Sequence, residues 1–324
     1  MDSKIKLLRF SDRVQGIMKG KFLPPIMADV DVVSGSCNLD CEWCCQRKSR
    51  EGKKPFFMSV DTMKKMGPFC KKWGIKSWRI AGDSEPTLNP NIDVLLRSGN
   101  ENGIDVGLIT NGVFLDKVKN IKVLKWIGIS LDASTAKTWS RLKGSPQTNF
   151  YRIMDNVKRI RKLYPAVEIT FKFTRWSRKY HLGRKDFSKK KQVLKQLDNF
   201  KDAELLPALA KKMGVQYIIH DAFPKKPDYQ FDVCRGTPLY ATFGADHKFY
   251  VCCDRRYDYV LTDDYTKNNW KELLKLWGSD KHKRIVASIN PKTCPYCSKA
   301  WLNTIMENII IDGRYSKNYQ VNFI

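Results

Sequence analysis

Three cysteines on one short segment have a spacing that suits metal chemistry. Residues 36–45 read SCNLDCEWCC and place Cys37, Cys41 and Cys44 in a C-x3-C-x2-C pattern. Three thiolates on one loop can face a common centre, yet they leave an iron–sulfur cluster one protein ligand short of a full set. An iron atom without a protein ligand is open to another molecule, so the spacing indicates a reactive cluster. A zinc knuckle and unpaired thiols in a reducing compartment are the alternatives.

The neighbouring segments place these cysteines where an α/β fold carries out chemistry. Residues 28–34 alternate polar and β-branched side chains, which predicts a strand that ends just before the cysteines. The carboxyl ends of strands are the usual active-site edge of such folds. Further along, residues 80–90 read IAGDSEPTLNP and follow a second strand-like segment at 75–80. Alone, this segment is only a proline-bounded turn before a predicted helix at 91–102.

Together, the two segments resemble the radical S-adenosylmethionine (radical SAM) superfamily. Trp43 precedes the third cysteine as in that family, and Gly82 with residues 85–88 (EPTL) resembles its Gly-Gly-Glu-Pro segment, although Ser84 stands where a second glycine is usual. The resemblance implies that the amino and carboxyl groups of SAM bind the open iron and that Glu85 accepts the SAM ammonium. It assigns to the cofactor pocket Trp43, Gly82, Asp83, Ser84 and Glu85.

Two further strand ends follow in the order that the family shows. Residues 104–110 end in Thr110-Asn111-Gly112, which resembles the Thr-Asn-Gly turn after the family's third strand. Residues 126–131 end in Ser130-Leu131-Asp132, which resembles the ribose-binding edge at the fourth strand. Short hydroxyl and carboxylate side chains can hydrogen bond to a ribose diol at close range. The resemblance therefore adds Thr110, Asn111 and Ser130 to the SAM pocket.

The remaining periodicity predicts an α/β fold. Residues 167–174 and 215–220 read as two more strands, and a helical run at 202–213 stops at Gly214. Six strand candidates separated by helix-length segments argue for parallel βα units. The resemblance supplies the architecture: an N-terminal extension at 1–24, and a partial, six-stranded (β/α)6 TIM-like barrel at 25–223 with SAM across the carboxyl ends of its strands.

A second group of cysteines lies beyond the predicted barrel. It consists of Cys234, the doublet Cys252-Cys253, and the C-x2-C pair Cys294 and Cys297. Two distant cysteines plus a C-x2-C turn can complete an all-thiolate zinc or iron–sulfur site. Residues 234–253 also predict a β-hairpin that turns near 245–248 and carries a cysteine on its return strand. Since alternate residues of a strand face opposite sides, only one member of the doublet can be a ligand, and we choose Cys252.

This arrangement resembles the small C-terminal twitch extension of some radical SAM enzymes. The resemblance implies an auxiliary [4Fe–4S] cluster in a domain at 224–324, held by Cys234, Cys252, Cys294 and Cys297. The larger SPASM version needs further cysteines after the C-x2-C pair, and residues 298–324 contain none. We therefore expect one auxiliary cluster, which would accept an electron or anchor the substrate. A structural zinc ion is the alternative.

The charge of the chain points to an anionic partner. The sequence has 59 Lys and Arg against 33 Asp and Glu, a net charge of +26. Residues 175–201 form a predicted insertion in which ten basic residues are interleaved with aromatic residues such as Trp176, a composition suited to phosphate contact and base stacking. A lysine-rich composition without a binding role is the alternative, since 41 of the basic residues are lysines.

Three hypotheses for function follow. The first is a radical SAM enzyme that acts on a nucleotide or on a base in DNA or RNA. The second keeps this chemistry for a small alcohol, as in the aminocyclitol dehydrogenases, or for a peptide side chain. The third is a non-enzymatic, zinc-stabilised nucleic-acid-binding protein. For an enzyme we expect an external electron donor of the flavodoxin or ferredoxin type, and substrate-facing side chains at strand ends: Asp132, Arg175, His220 and Asp221.

The cysteine content and the chain start bear on the compartment. The sequence begins with charged residues and shows no secretory leader, so its ten cysteines are expected to stay reduced in the cytoplasm. No apolar run approaches the roughly 20 residues of a membrane span.

Overall fold

The computed structural model describes residues 7–41, 44, 54–176, 198–221, 229, 231–294 and 297–307. Contacts between Cα atoms divide the chain into two compact units. The barrel unit comprises Val30–Pro68 and Trp78–Lys225, and the cysteine-rich unit comprises Met1–Asp29, Phe69–Ser77 and Lys226–Ile324.

The strands and helices are numbered in chain order. The strands are β1 (Met27–Asp31), β2 (Val33–Ser34), β3 (Phe56–Phe57), β4 (Ser77–Ala81), β5 (Asp105–Thr110), β6 (Leu124–Ser130), β7 (Glu168–Arg175), β8 (Gln216–Asp221), β9 (Tyr240–Phe243), β10 (Phe249–Tyr250) and β11 (Val260–Thr262). The helices are α1 (Ser11–Met18), α2 (Val60–Trp73), α3 (Ile92–Glu101), α4 (Ala136–Lys143), α5 (Gln147–Leu163), α6 (Phe200–Met213), α7 (Lys271–Leu276), α8 (Asp280–Ser288) and α9 (Ala300–Ile305).

The barrel unit is built on a largely parallel sheet. Its strand order is β1-β4-β5-β6-β7-β8, and the pairs β5–β6, β6–β7 and β7–β8 are parallel. Helices α2, α3, α5 and α6 lie between successive strands, as βα units require, except that two short 3-10 turns at Leu115–Lys117 and Ile121–Val123 connect β5 to β6. The predicted α/β fold with a central parallel sheet is therefore confirmed, and the ends of the six predicted strands lie within a few residues of the observed ones.

One predicted strand is wrong in its length. The alternation at 28–34 predicted a single strand, but β1 ends at Asp31 and β2 turns away to pair antiparallel with β3. Val32 lies between them, and its carbonyl accepts hydrogen bonds from the backbone of Met58 and the side chain of Asn89 at 3.0 and 2.9 Å. These tertiary bonds replace the ladder of a continuing strand.

Each strand of the barrel unit has one face packed against helices and one face that is not. On β7 the side chains of Ile169, Phe171 and Phe173 are buried, and α6 packs against this strand. Helix α3 approaches its sheet closely at Gly99, where a Cβ atom would lie 2.7 Å from Val106 and 2.8 Å from Trp78. The opposite face carries glycines, polar side chains and some apolar side chains, such as Trp126 and Ile218.

The cysteine-rich unit contains the small antiparallel sheet β9-β10-β11. The predicted hairpin is confirmed, since β9 and β10 pair with Phe243 opposite Phe249. The expectation that Cys252 lies on the return strand is wrong: β10 ends at Tyr250, and after the N–H of Val251 donates to the carbonyl of Tyr259 the chain passes into a turn at residues 254–258. The sequence patterns did not predict β11, α7 or α8.

The structure contains no helix, within the residues that it describes, with the length and apolar character needed to cross a bilayer.

A buried asparagine joins the loops at the carboxyl ends of β6 and β7. Asn199 is 1% exposed. Its Oδ1 accepts from the N–H of Trp176 at 2.6 Å, and its Nδ2 donates to the carbonyls of Asp132 at 2.7 Å and Thr174 at 2.9 Å. One side chain therefore fixes three backbone groups beside the predicted active-site edge.

We expect Asn199→Ala to lower the free energy of unfolding by roughly 2–4 kcal/mol, because it leaves buried backbone groups without partners. The control is Asp198→Ala, an exposed neighbour that should cost less than about 1 kcal/mol. Urea unfolding followed by far-UV circular dichroism measures both values. Equal losses in the two variants would contradict the role given to Asn199.

Candidate functional site

The cysteine loop, defined as residues 36–44, is anchored at its start to the segment that follows β4. The N–H of Ser36 donates to the Ser84 hydroxyl at 3.0 Å, and the N–H of Glu85 donates to the Ser36 carbonyl at 3.3 Å. The Ser84 hydroxyl also donates to Asp83 at 2.8 Å. The serine that replaces the family's second glycine therefore has a structural function, since its hydroxyl anchors the loop.

Two further hydrogen bonds anchor the middle of the cysteine loop. The Nδ2 of Asn111 donates to the Oδ1 of Asn38 at 2.8 Å, which joins the loop to the turn after β5. The N–H of Asp40 donates to the carbonyl of Lys143 at 3.2 Å, which joins it to the end of α4. Residues 36, 38 and 40 are thus each held by a different segment, beside the thiols of Cys37 and Cys41.

Glu85 joins the ends of β4 and β5 through its carboxylate. The side chain is buried, with 3% of its surface exposed. Oε1 accepts from the N–H and hydroxyl of Thr87 at 3.1 and 2.7 Å and from the Thr110 hydroxyl at 2.5 Å, and Oε2 accepts from the N–H of Asn111 at 2.8 Å. Burial raises the pKa of Glu85, while these hydrogen bonds act in the opposite direction. Its contact with the SAM ammonium stays a prediction, and the structure adds a positioning role.

Asp132 and Lys143 form a buried ion pair at the end of β6. Their Oδ2 and Nζ atoms are 2.5 Å apart, with side chains only 7% and 4% exposed. The Oδ1 of Asp132 accepts from the N–H of Thr174 at 2.6 Å. Burial alone would lower the pKa of Lys143, but Asp132 and the thiol groups of Cys41 and Cys44 raise it. Asp132 therefore positions Lys143 beside the cysteine loop, a role that the sequence did not indicate.

The other predicted catalytic residues lie at the adjacent strand ends. Arg175 and Asp221 are paired in register on β7 and β8 and form a bidentate ion pair. The Nε–Oδ1 and Nη2–Oδ2 distances are 2.6 and 3.0 Å. The Arg175 guanidinium also lies 4.9 Å from the ring centroid of Phe200. Partial burial and the ammonium of Lys172 lower the pKa of His220, while Asp132 and Asp221 act in the opposite direction.

The remaining predicted SAM residues lie on the same edge of the sheet. Gly82 has a φ of +129°, and a Cβ atom there would lie 3.3 Å from the Asp31 carboxylate, so glycine suits this position. Ser130 ends β6 in register with Lys172 of β7. Trp43 lies outside the described residues, so its predicted role stays a prediction.

The cysteine-rich unit brings together the second group of thiols. Cys234 interacts electrostatically with Cys252, Cys294 and Cys297. Burial raises the pKa of Cys234 to about 11 and that of Cys297 to about 12. Holding these groups as thiolates therefore requires a positive charge nearby, which a metal centre supplies.

Helix α9 holds the Cys234 segment from both sides. The Oδ1 of Asn303 accepts from the N–H groups of residues 235 and 236, both at 2.7 Å. The carboxylate of Glu307, just beyond the end of α9, accepts from the N–H groups of residues 232 and 233 at 2.8 and 2.9 Å. Both side chains are buried. This hydrogen bonding fixes the position of Cys234 relative to the helix that follows Cys297.

The two members of the cysteine doublet have different surroundings. The Sγ of Cys253 lies 3.8 Å from Asp254 Oδ1 and 3.9 Å from the Ser298 hydroxyl. Asp254 in turn accepts from the N–H of Ser298 at 2.7 Å. Cys252 interacts electrostatically with Cys253 and Asp254 and, to a smaller extent, with Cys234. The choice of Cys252 as a ligand stays a prediction, which its interaction with Cys234 supports.

The donor set of the cysteine loop consists of thiols, the side chains that hold iron–sulfur clusters. In the part of the chain that the structure describes, no three His, Cys, Asp or Glu side chains converge closely enough to bind one metal ion. The thiols of Cys37, Cys41 and Cys44 form no disulfide and lie on a loop anchored beside a buried ammonium group, as the open cluster that the spacing predicted requires.

Comparisons with known proteins agree with this site. Residues 32–173 match the family model of the Radical SAM superfamily. A probable GTP 3′,8-cyclase from Pyrobaculum aerophilum is 26% identical over 128 residues, which are 38% of this chain and 40% of that protein. The chain thus matches less than half the length of this curated relative.

Two solved structures share the fold. Streptococcus suis SuiB bound to S-adenosylmethionine matches 89% of this chain and 74% of its own, with a TM-score of 0.55 and 16% identity. SuiB bound to its precursor peptide SuiA matches 89% and 73%, with a TM-score of 0.54 and 14% identity. The family model thus identifies residues 32–173 as a segment of the radical SAM superfamily, whose members use a [4Fe–4S] cluster and SAM.

We expect Lys143→Met to lower the free energy of unfolding by about 3–5 kcal/mol, because it leaves the Asp132 carboxylate buried without its cation. The double variant Lys143→Met/Asp132→Asn should recover much of this loss. The control is Lys158→Met, since Lys158 pairs with Asp155 on an exposed helix surface. Urea unfolding of the apoprotein tests the pair. Additive losses in the double variant would show that the two residues are not coupled.

Proposed function

We propose that this protein cleaves SAM reductively at a [4Fe–4S] cluster held by Cys37, Cys41 and Cys44, and that the resulting 5′-deoxyadenosyl radical abstracts a hydrogen atom from an anionic substrate. One observation carries the proposal: the cysteine loop is hydrogen bonded to both segments that resemble SAM-binding segments, at Ser84–Glu85 and at Asn111. The proposed cluster ligands and the proposed SAM pocket are therefore joined by direct hydrogen bonds.

Cys37, Cys41 and Cys44 would hold the cluster, which would supply one-electron reduction of the SAM sulfonium, with the electron coming from an external flavodoxin- or ferredoxin-type donor and the carbon–sulfur bond breaking to give methionine and the radical. The protein's part is to bind, orient and exclude water. Gly82 lets the backbone approach the cofactor closely, and Ser130 supplies a hydroxyl for the ribose. Glu85 fixes Thr110 and Asn111, and Lys143 places a positive charge beside the thiolates.

The cysteine-rich unit would hold one auxiliary [4Fe–4S] cluster on Cys234, Cys252, Cys294 and Cys297, as in a twitch domain. The mutual interactions of these thiols and their raised pKa values support a metal centre there. Such a cluster would accept the electron that remains on the substrate after hydrogen abstraction, or it would anchor the substrate. A structural zinc ion is the alternative occupant.

The proposed substrate is a nucleotide or a base in nucleic acid. The net charge of +26 supports an anionic substrate, and the curated relative is named for a reaction of GTP. The basic segment at 177–197 lies outside the described residues. Trp176 is described and only 6% exposed, so the expectation that its indole is available for base stacking is wrong. Its N–H bond to Asn199 fixes its backbone at the barrel rim.

A peptide side chain is the second candidate substrate. SuiB, whose fold matches 89% of this chain, has been crystallised with its precursor peptide. Dehydrogenation of a small alcohol remains a further alternative. Iron content separates all of these enzymatic proposals from a zinc-stabilised binding protein.

Anaerobic reconstitution should load about eight irons per chain, four for each of two clusters. Replacing Cys37, Cys41 and Cys44 together with Ala should halve the iron content and abolish formation of 5′-deoxyadenosine from SAM and dithionite. The paired control is Cys70→Ala, which removes a buried cysteine of α2 outside both groups and should keep the full iron content. Zinc in the first site under strict anaerobiosis would overturn the enzymatic proposal.

The second site makes a sharper prediction about the cysteine doublet. Cys252→Ser should reduce the iron content and the charge-transfer absorbance of the reconstituted protein, because it removes a ligand. Cys253→Ser should leave both unchanged, because this thiol contacts Asp254 and Ser298. The opposite result would exchange the two roles, and unchanged iron in a Cys294→Ala/Cys297→Ala variant would show that the pair binds no cluster.

A further inference from the structure

The face of β6, β7 and β8 that does not pack against helices is here called the open face. Alternation along these parallel strands places on it Trp126, Gly128 and Ser130 of β6, Thr170 and Lys172 of β7, and Ile218 and His220 of β8. The opposite face carries the buried residues Ile127, Ile129 and Phe171. Ser130 and His220 lie toward the carboxyl ends of their strands, where the SAM pocket is predicted, and Trp126 lies four residues earlier on β6.

Trp126 lies across two glycines of this face. A Cβ atom on Gly128 would be 2.5 and 2.7 Å from Cη2 and Cζ2 of the indole, and one on Gly107 would be 3.2 Å from Cε3. The indole Nε1 donates to the Thr170 hydroxyl at 2.8 Å. The six-membered ring of the indole therefore packs over the backbone at Gly107 and Gly128, where no side chain intervenes. The hydrogen bond to Thr170 fixes the orientation of the ring. Trp126 as a whole residue is partly exposed.

A cationic side chain meets the indole at the same place. Lys172 is in register with Ser130, and its Cδ would be 3.1 Å from a Cβ on Gly128. The aliphatic part of Lys172 and the indole of Trp126 therefore both lie next to Gly128. His220 extends the polar surface onto β8, within electrostatic range of the Lys172 ammonium. The open face therefore combines a fixed aromatic ring with positive charge toward the cofactor edge.

We propose that Trp126, Lys172 and His220 form a substrate subsite for a nucleotide, in which a planar base stacks on the indole and the phosphate lies against Lys172 and His220. The proposal rests on the proposed function and names the substrate class for that site. A base has a flat π-face that an aromatic ring can bind, and a phosphate needs a nearby cation. Gly107 and Gly128 are the residues that make the ring's position possible.

The test is the binding of GMP, guanosine and ribose 5-phosphate to the reconstituted full chain, measured by isothermal titration without SAM or reductant. GMP should bind at least tenfold more tightly than either fragment. Trp126→Leu should lower the affinity for GMP to the wild-type affinity for ribose 5-phosphate, because the base loses its stacking partner. Lys172→Met should lower it to the wild-type affinity for guanosine, because the phosphate loses its cation. GMP binding that is absent, or unaffected by both changes, would overturn the proposal.

A matched pair of glycine variants tests the geometry. In Gly128→Ala the new Cβ would lie 2.5 Å from the indole of Trp126 and displace it, so GMP binding should weaken at least tenfold. In Gly107→Ala the new Cβ would lie 3.2 Å from the indole, so the effect should be smaller. Equal affinities in the two variants, with far-UV circular dichroism unchanged, would contradict the stacking platform. The Trp126→Leu comparison keeps the test valid if Gly128→Ala does not fold.

Two further measurements separate the possible outcomes. A short single-stranded oligonucleotide that binds with the same dependence on Trp126 and Lys172 would support the subsite and assign it to bases within nucleic acid. Formation of 5′-deoxyadenosine by the wild type reports on the proposed function independently. Cleavage of SAM without any base-dependent binding would overturn the subsite alone, and base-dependent binding without SAM cleavage would overturn the radical chemistry alone.

Discussion

The anchoring of the cysteine loop is the constraint on which the rest of the site depends. Three thiols can serve one cluster only if the backbone between them is fixed, and hydrogen bonds at residues 36, 38 and 40 do this from three different segments. Two of these segments are themselves joined by the buried carboxylate of Glu85. The site is therefore pre-organised by protein contacts, and a bound cluster would further stabilise an arrangement that already exists.

Buried charge and buried amides continue this network from the loop to the open face. Lys143 is held by Asp132, Asp132 accepts from Thr174, and Asn199 bonds to the carbonyls of both Asp132 and Thr174. Breaking one member leaves the others without partners in a medium of low dielectric constant, so the network is costly to disturb. The ends of β6 and β7 are thereby fixed relative to the cysteine loop, which sets where a substrate on Trp126 and Lys172 would lie.

Local patterns predicted the parts of this structure that local forces determine. Strand alternation located β5, β7 and β8, and cysteine spacing identified both thiol groups. The residues that position the site escaped prediction because their partners are distant in sequence: Lys143 looks like an ordinary solvated lysine at a helix end, and Asn199 like a helix cap. The same reason explains two errors. Trp176 is buried by tertiary packing, and Cys252 lies between the end of β10 and the turn at residues 254–258.

The central claim is that the anchored loop presents an iron atom open to SAM. Electron paramagnetic resonance of the dithionite-reduced Cys294→Ala/Cys297→Ala variant, in which only the first cluster remains, tests this most directly. We predict the signal of a reduced [4Fe–4S] cluster whose g values change when SAM is added, because SAM occupies the open iron. A signal that SAM leaves unchanged, or no cluster signal with zinc bound instead, would contradict the account.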